Sequence, residues 1–200
     1  MFVKSEILNE MLHELTNAID NSSIINGKNE NGDGIYRKVH KVEAIDNNRD
    51  RIDDILAHYE RMKSPGKIVF HRNNIISYFL YTTDKLQMEL HKSIDRDSKI
   101  ELAHLLLSQI YAHEHFHLYC DINSYLIDKS SFRFDRLHEE ALAVAFSHLE
   151  LIQYKRVSKI KYNSLDSNVK RLYKNILFDF SNPGYKDWKK FKHQEDVTVK

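Results

Sequence analysis

Residues 98–119, SKIELAHLLLSQIYAHEHFHLY, form the longest helical pattern in this chain of 200 residues. Apolar side chains occur on nearly every side of the helix that this stretch predicts, and such a helix is buried in a protein core. Ser98, with Glu101 three residues later, matches the capping-box pattern found where many helices begin. We therefore expect a buried central helix over residues 100–119, with the rest of the fold packed around it.

The composition also favours a helical globular protein. The chain has 5 Gly and 2 Pro, with 42% hydrophobic and 30% charged residues. So few turn residues argue against a many-stranded β fold. The single cysteine, Cys120, cannot form an internal disulfide, and no signal-peptide pattern is present, so we expect an intracellular, cytoplasmic protein. Since no run of about 18 apolar residues occurs, we expect no membrane-spanning helix.

The flanking segments complete a mostly helical α+β fold. Helical spacing of apolar residues predicts five further helices, at 1–19, 49–62, 84–94, 136–157 and 165–180. The remaining segments predict a loop at 21–34, an ambiguous stretch at 35–45 that fits a strand, and a β-hairpin made of 67–71 and 75–82. We expect one domain over residues 1–184, with a small sheet beside the central helix, and a basic C-terminal tail over residues 185–200.

The central helix contains the pattern H-E-x-x-H at His113, Glu114 and His117. Histidines four residues apart lie one helical turn apart, so both imidazoles can reach one metal ion. Glu114 lies beside that face, where a carboxylate can take a proton from a zinc-activated water without binding the metal. The pattern arises by chance in about one shuffled sequence in twenty. Its position in an apolar helix favours a real site, because buried imidazoles and carboxylates need a reason to be buried.

A catalytic zinc site needs a third protein ligand and an open fourth position. The metzincin pattern requires Gly at position 120 and His or Asp at position 123, and Cys120 and Asn123 exclude that class. The alternative is a glutamate from a later helix. Glu139 and Glu140 lie roughly 20 residues beyond His117, and the spacing alone leaves both of them open.

The stretches AHEHFHLY (112–119) and HEEALAVAFSHLEL (138–151) resemble gluzincin-type HExxH zinc metallopeptidases, especially the small intracellular ImmA/IrrE-like peptidases. The resemblance covers about residues 100–152 and implies a zincin-like fold. Glu140 is the preferred third ligand, because the E-x-x-A pattern of the family then falls on Glu140 and Ala143. Glu139 is the alternative.

The resemblance therefore implies Zn²⁺ held by His113, His117 and Glu140, with Glu114 as general base. Asp121 lies one turn after His117, where it either orients that imidazole through a hydrogen bond or is an ordinary exposed acid near the end of the helix. We expect His104 and His115 to be packing or surface histidines. The residue that stabilises the oxyanion is left open among His138, His148, Tyr111 and Tyr125.

These residues predict a zinc-dependent metallopeptidase that hydrolyses peptide bonds of an intracellular protein through a glutamate-activated water. In zincins a strand at the edge of the sheet binds extended substrate, so by resemblance the hairpin of residues 67–82 is expected to bind the peptide as an added strand. No membrane partner is expected, and the oligomeric state stays open.

The charge distribution supplies an alternative function. Residues 1–154 contain 18 Lys and Arg against 24 Asp and Glu, a net charge of −6, whereas residues 155–200 contain 12 against 5, a net charge of +7. A basic segment can bind nucleic acid or an acidic partner, but so short a segment is more simply a solvated helix face with a tail. The alternative is a non-catalytic zincin-like module that binds protein or nucleic acid through residues 155–200.

Overall fold

The computed structural model describes residues 24–28, 34–38, 40–45, 55–60, 66–126, 135–153 and 165–191, and positions 6, 9 and 13. By its internal contacts the chain divides into two compact units, Met1–Ile75 and Ile76–Lys200. The described residues are mostly helical with a small sheet, in agreement with the predicted α+β class. The prediction of a single domain over residues 1–184 stays a prediction.

The described strands all belong to the first unit. They are β1 (Ile24–Lys28), β2 (Gly34–Lys38), β3 (His40–Ile45), β4 (Ala57–Glu60) and β5 (Gly66–His71). β1 and β2 form an antiparallel pair, whereas β5 lies between a parallel β3 and an antiparallel β4. Ile68, Val69 and Phe70 of β5 are all buried. A strand covered on both faces has such a continuous apolar run.

The structure corrects several predicted elements in this part of the chain. Residues 24–28, expected in a loop, form β1, and residues 57–60, expected in a helix, form β4. The predicted hairpin is wrong, because residues 75–82 are helical. Since β5 is paired on both sides, it offers no free edge to a peptide. The predicted N-terminal helix, residues 1–19, lies outside the described residues except for positions 6, 9 and 13, which are helical.

The helices that form the second unit follow the strands. They are α1 (Arg72–Leu90), which begins at the end of the first unit, α2 (Arg96–Leu126), α3 (Arg136–Gln153), α4 (Ser167–Leu177) and a 3-10 helix (Tyr185–Phe191). α2 packs along α3, and α3 packs against the 3-10 helix. The Thr82 hydroxyl of α1 lies 3.2 Å from the hydroxyl of Tyr173, a fully buried residue of α4. These contacts place α2 and α3 side by side in the core.

The central helix is confirmed, but it begins earlier than its predicted cap. The Asp95 carboxylate accepts hydrogen bonds from the backbone N–H of Ser98 at 2.9 Å and from its hydroxyl at 2.8 Å, so Asp95 caps α2. The expected capping box is therefore wrong. Glu101 instead accepts from the backbone N–H of Leu165 at 3.0 Å and pairs with Lys170. The Glu101 carboxylate therefore connects α2 to the start of α4, and Asp95 caps the N-terminus of α2.

The end of the described chain also differs from the prediction. Residues 185–191, assigned to a tail, form the 3-10 helix, and Trp188 within it is buried. The indole N–H of Trp188 donates to the carbonyl of Phe178 at 3.3 Å. The aromatic residues Tyr185, Trp188 and Phe191 recur every three positions, which is the period of a 3-10 helix. Packing of this aromatic face keeps the segment folded along α3.

Candidate metal centre

The candidate site lies between the middle of α2 and the first turn of α3. His113, Glu114 and His117 of α2 are each about 7% exposed or less, and Glu139 of α3 is equally buried. Glu140 is half-buried beside them. Carboxylates are favoured in the first turn of a helix because the helix dipole is positive there. Local structure thus presents two imidazoles on one helix and two carboxylates on the other.

Three ligand atoms converge in a nearly equilateral triangle. The Nε2 atom of His113 lies 3.2 Å from Oε2 of Glu140 and 3.3 Å from Nε2 of His117. The third side, from Nε2 of His117 to Oε2 of Glu140, is 3.6 Å. Ligands at about 2.0–2.1 Å from a tetrahedral ion are separated by about 3.3–3.4 Å. The triangle therefore has the size that three corners of such a coordination sphere require.

Within the described residues, His113, His117 and Glu140 are the one group of three acidic, histidine or cysteine side chains arranged to hold a metal ion. Two imidazole nitrogens and one carboxylate oxygen suit a divalent first-row metal better than Ca²⁺ or Mg²⁺, which prefer oxygen ligands. The donor set and its spacing therefore fit a bound metal ion.

The second carboxylate has a different position. Oε1 of Glu139 lies 2.7 Å from Nδ1 of His117, on the side of the ring away from His113. A carboxylate that accepts from Nδ1–H leaves Nε2 free of a proton and directed at a metal. The spacing left Glu139 and Glu140 open as ligands. In the structure Glu140 forms a corner of the triangle, and Glu139 contacts the imidazole that Asp121 was suggested to orient.

The carboxylates of Glu139 and Glu140 favour the protonated form of His117. Burial by itself lowers the pKa of His117, but hydrogen bonds to Glu139 and Glu140 and the surrounding negative charge raise it to about 9. Burial raises the pKa of Glu140, and hydrogen bonds and charge from His113 and His117 reverse this and hold it well below its usual range. The metal-free cluster therefore carries a proton on a buried imidazole, and a divalent cation would replace that proton.

Tyr185 is a site residue that the sequence analysis missed. Its ring stacks on that of His113, with centroids 5.5 Å apart and planes 12° from parallel. Burial raises the pKa of Tyr185 above its ordinary value, and so do the charge of Glu140, a hydrogen bond to Glu140 and the charge of Glu114. The raised pKa keeps the phenol protonated, so it can donate a hydrogen bond to Glu140. The three-residue aromatic spacing noted above is the signal that could have brought Tyr185 out of the predicted tail.

The tyrosine and histidines considered for the oxyanion role have other ring contacts. Tyr111 stacks on His115, with centroids 5.1 Å apart. His138 meets the ring of Phe191 edge-on at 4.8 Å. His148 lies 4.6 Å from the ring of Trp188. The side chain of residue 125 lies outside the described part of the chain, and His104, expected to be a packing or surface residue, is half-buried.

The basic C-terminal quarter is only partly described, over residues 165–191. Lys170 pairs with Glu101, and Lys190 pairs with Asp187 at 2.8 Å. The ammonium of Lys174 donates to a backbone carbonyl of α3 at 2.9 Å. These three cations therefore have partners within the protein. Binding of nucleic acid through residues 155–200 stays a prediction.

Comparison with known proteins identifies no relative. No protein-family model matches the chain, and no curated protein or solved structure is significantly similar to it. None of the helices in the described ranges is both long and apolar enough to cross a membrane. The resemblance to HExxH peptidases therefore depends on the residues of the motif and of the glutamate helix alone.

Proposed function

We propose that this protein is a zinc-dependent metallopeptidase with a zincin-like fold that hydrolyses peptide bonds of an intracellular protein. The observation that supports it most is the triangle of His113, His117 and Glu140, with sides of 3.2, 3.3 and 3.6 Å. Three protein ligands at tetrahedral spacing leave a fourth position for water or substrate, which is the arrangement of catalytic zinc sites.

Zinc is the metal proposed because of the ligand set. Catalytic zinc sites made of two histidines and one glutamate are well known, and zinc imposes no geometry of its own beyond a preference for four ligands. The hydrogen bond from His117 to Glu139 adds the carboxylate–histidine arrangement that accompanies such ligands.

Glu114 carries the acid–base chemistry in this proposal. It is buried at 7% exposure, its negative charge helps to raise the pKa of His117, and it does not form a corner of the triangle. A bound zinc would activate a water molecule and polarise the carbonyl of the substrate. Glu114 would accept a proton from that water and pass it to the amine that leaves. Glu114 and the leaving amine are therefore the two successive acceptors of that proton.

The test compares metal content and turnover in the wild type and in Glu114→Gln. Protein purified without a histidine tag should contain about one zinc per chain and should cleave members of a proteome-derived peptide library. Glu114→Gln should keep its zinc and lose about 10²- to 10⁴-fold in turnover, since it lacks the general base. Glu89→Gln, at an exposed position of α1, is the matched control and should retain full activity.

The rival function, a non-catalytic binding module, gives a different result. Wild-type protein that holds zinc and turns over no peptide in the library would contradict the peptidase and favour binding. Wild-type protein that holds no metal would overturn the zinc site itself.

A further inference from the structure

The segment that follows α4 packs along α3 through aromatic side chains spaced three residues apart. Tyr185 lies on the metal centre, the ring of Trp188 lies 4.6 Å from that of His148, and the ring of Phe191 meets that of His138 at 4.8 Å. We call residues 181–191 the strap. The strap belongs to neither α2 nor α3, the two helices that form the site, and one of its side chains, Tyr185, contacts the site.

Gly184 makes the close approach of the strap possible. Its φ of +82° is a conformation that residues with a Cβ rarely adopt. A Cβ at this position would also lie 3.0 Å from the carbonyl oxygen of Leu137 and 3.4 Å from Cβ of Glu140. The strap backbone therefore touches the first turn of α3 at the residue before Tyr185. This contact fixes where the tyrosine ring enters.

Tyr185 makes two contacts with the proposed ligands. Its ring is stacked flat on the imidazole of His113, and a hydrogen bond with the carboxylate of Glu140 is among the causes that raise the pKa of its hydroxyl. A carboxylate has two oxygens, so Glu140 can bind a metal with one and accept a hydrogen bond with the other. The phenol thus contacts two of the three corners of the triangle without being one of them.

We propose that Tyr185 is a positioning residue of the metal centre, whose hydroxyl holds Glu140 and whose ring holds His113 in the geometry that binds the ion. This inference rests on the proposed metal site and adds to it a residue from outside the H-E-x-x-H and glutamate helices. Hydrogen-bond partners of metal ligands typically contribute 10- to 100-fold in metal affinity or activity. The strap then lies along one side of the site, and Gly184 allows its backbone to approach the first turn of α3.

The test measures zinc affinity by competition with a chelator in the full chain. Tyr185→Phe keeps the ring stack on His113 and removes the hydroxyl, so zinc affinity should fall about 10- to 100-fold. Tyr81→Phe removes a hydroxyl from a tyrosine that is 61% exposed on α1 and should leave the affinity unchanged. Thermal unfolding of the metal-free variants should be alike if the hydroxyl acts on the ligand and has no general structural role.

A second readout reports ligand geometry directly. Co²⁺ bound in place of zinc gives visible absorption bands that depend on the coordination sphere, so Tyr185→Phe should change their position or intensity, and Tyr81→Phe should not. Gly184→Ala keeps the hydroxyl but displaces the strap, and it should weaken zinc binding in the same direction.

The outcomes separate this inference from the proposed function. A wild-type protein that binds zinc through His113 and Glu140, with a Tyr185→Phe variant of equal affinity and identical Co²⁺ spectrum, would overturn the role of Tyr185 and leave the metal site standing. A wild-type protein that binds neither ion would overturn both.

Discussion

Two pairs of histidines, one in each unit, share almost the same internal spacing. The ring centroids of His113 and His117 are 5.0 Å apart, and so are those of His58 and His71. Their closest nitrogens are 3.3 Å apart in the first pair and 2.9 Å in the second. Spacing between imidazoles therefore does not distinguish a metal site from a packed pair.

Among the described residues, the carboxylates around the two pairs differ. Glu140 lies 3.2 Å from His113, and Glu139 lies 2.7 Å from the far nitrogen of His117. In the sheet, Glu60 lies 3.9 Å from the far nitrogen of His58. In the sheet pair, one ring nitrogen lies within hydrogen-bond distance of the other. The proposed metal site differs in that a second helix, α3, supplies two carboxylates to the histidines of α2.

The largest expected effect is the loss of metal in Glu140→Ala, with His58→Ala as the comparison. Removing Glu140 takes away the only oxygen corner of the triangle, so the purified variant should retain no stoichiometric zinc. His58→Ala removes one histidine of the sheet pair and should contain as much zinc as the wild type. Elemental analysis of both proteins gives the answer. Zinc lost from His58→Ala and kept in Glu140→Ala would move the metal site to the sheet.

A smaller effect is expected for Glu139→Gln. Glutamine can still accept from Nδ1 of His117 but lacks the negative charge, so zinc affinity should fall about 10-fold, at the low end of the range for such partners. Chelator competition at several pH values measures the change, because Glu139 also raises the pKa of His117. Glu89→Gln is the exposed control. Equal affinities for Glu139→Gln and the control would remove Glu139 from the centre.

The smallest expected effect on metal binding at a given pH comes from the proton on His117, which makes metal affinity depend on pH. Hydrogen bonds to Glu139 and Glu140 outweigh burial and raise the pKa of His117 in the metal-free protein to about 9. Metal must displace this proton, so apparent affinity should rise about tenfold per pH unit from about pH 6 to 8. Calorimetry in buffers of different ionisation enthalpy should show about one proton released per ion bound. Proton-independent binding would contradict the assignment of His117 as a ligand.

The free energy of unfolding of the metal-free protein should change with pH in the opposite direction to metal affinity, falling as the pH rises. A raised pKa means that the folded protein binds the proton more tightly than the unfolded chain. The contribution of His117 to the free energy of unfolding is therefore fully present below its ordinary pKa of about 6.5 and is lost as the pH rises through about 9. Thermal unfolding of the metal-free protein between pH 6 and 9 measures this loss, and a stability that does not change over that range would contradict the raised pKa of His117.

The sequence predicted most where contacts are local. The buried helix expected at 100–119 is present within α2, because its apolar pattern is continuous and helical hydrogen bonds connect near neighbours. The strands were predicted poorly for the opposite reason. Residues 49–62 have the apolar spacing of a helix, yet residues 57–60 form β4, since pairing with β5 outweighs the local preference. Residues 75–82 are rich in β-formers and still continue a helix.

For this protein, the sequence by itself determined that His113 and His117 share one face of a helix with Glu114 beside them, because a one-turn spacing acts through the backbone of a single element. Only the tertiary structure decided between Glu139 and Glu140, because adjacent residues on a helix differ by about 100° in direction and the orientation of α3 selects which one faces the imidazoles. Tertiary packing also brought in Tyr185, 68 residues beyond His117 in the chain.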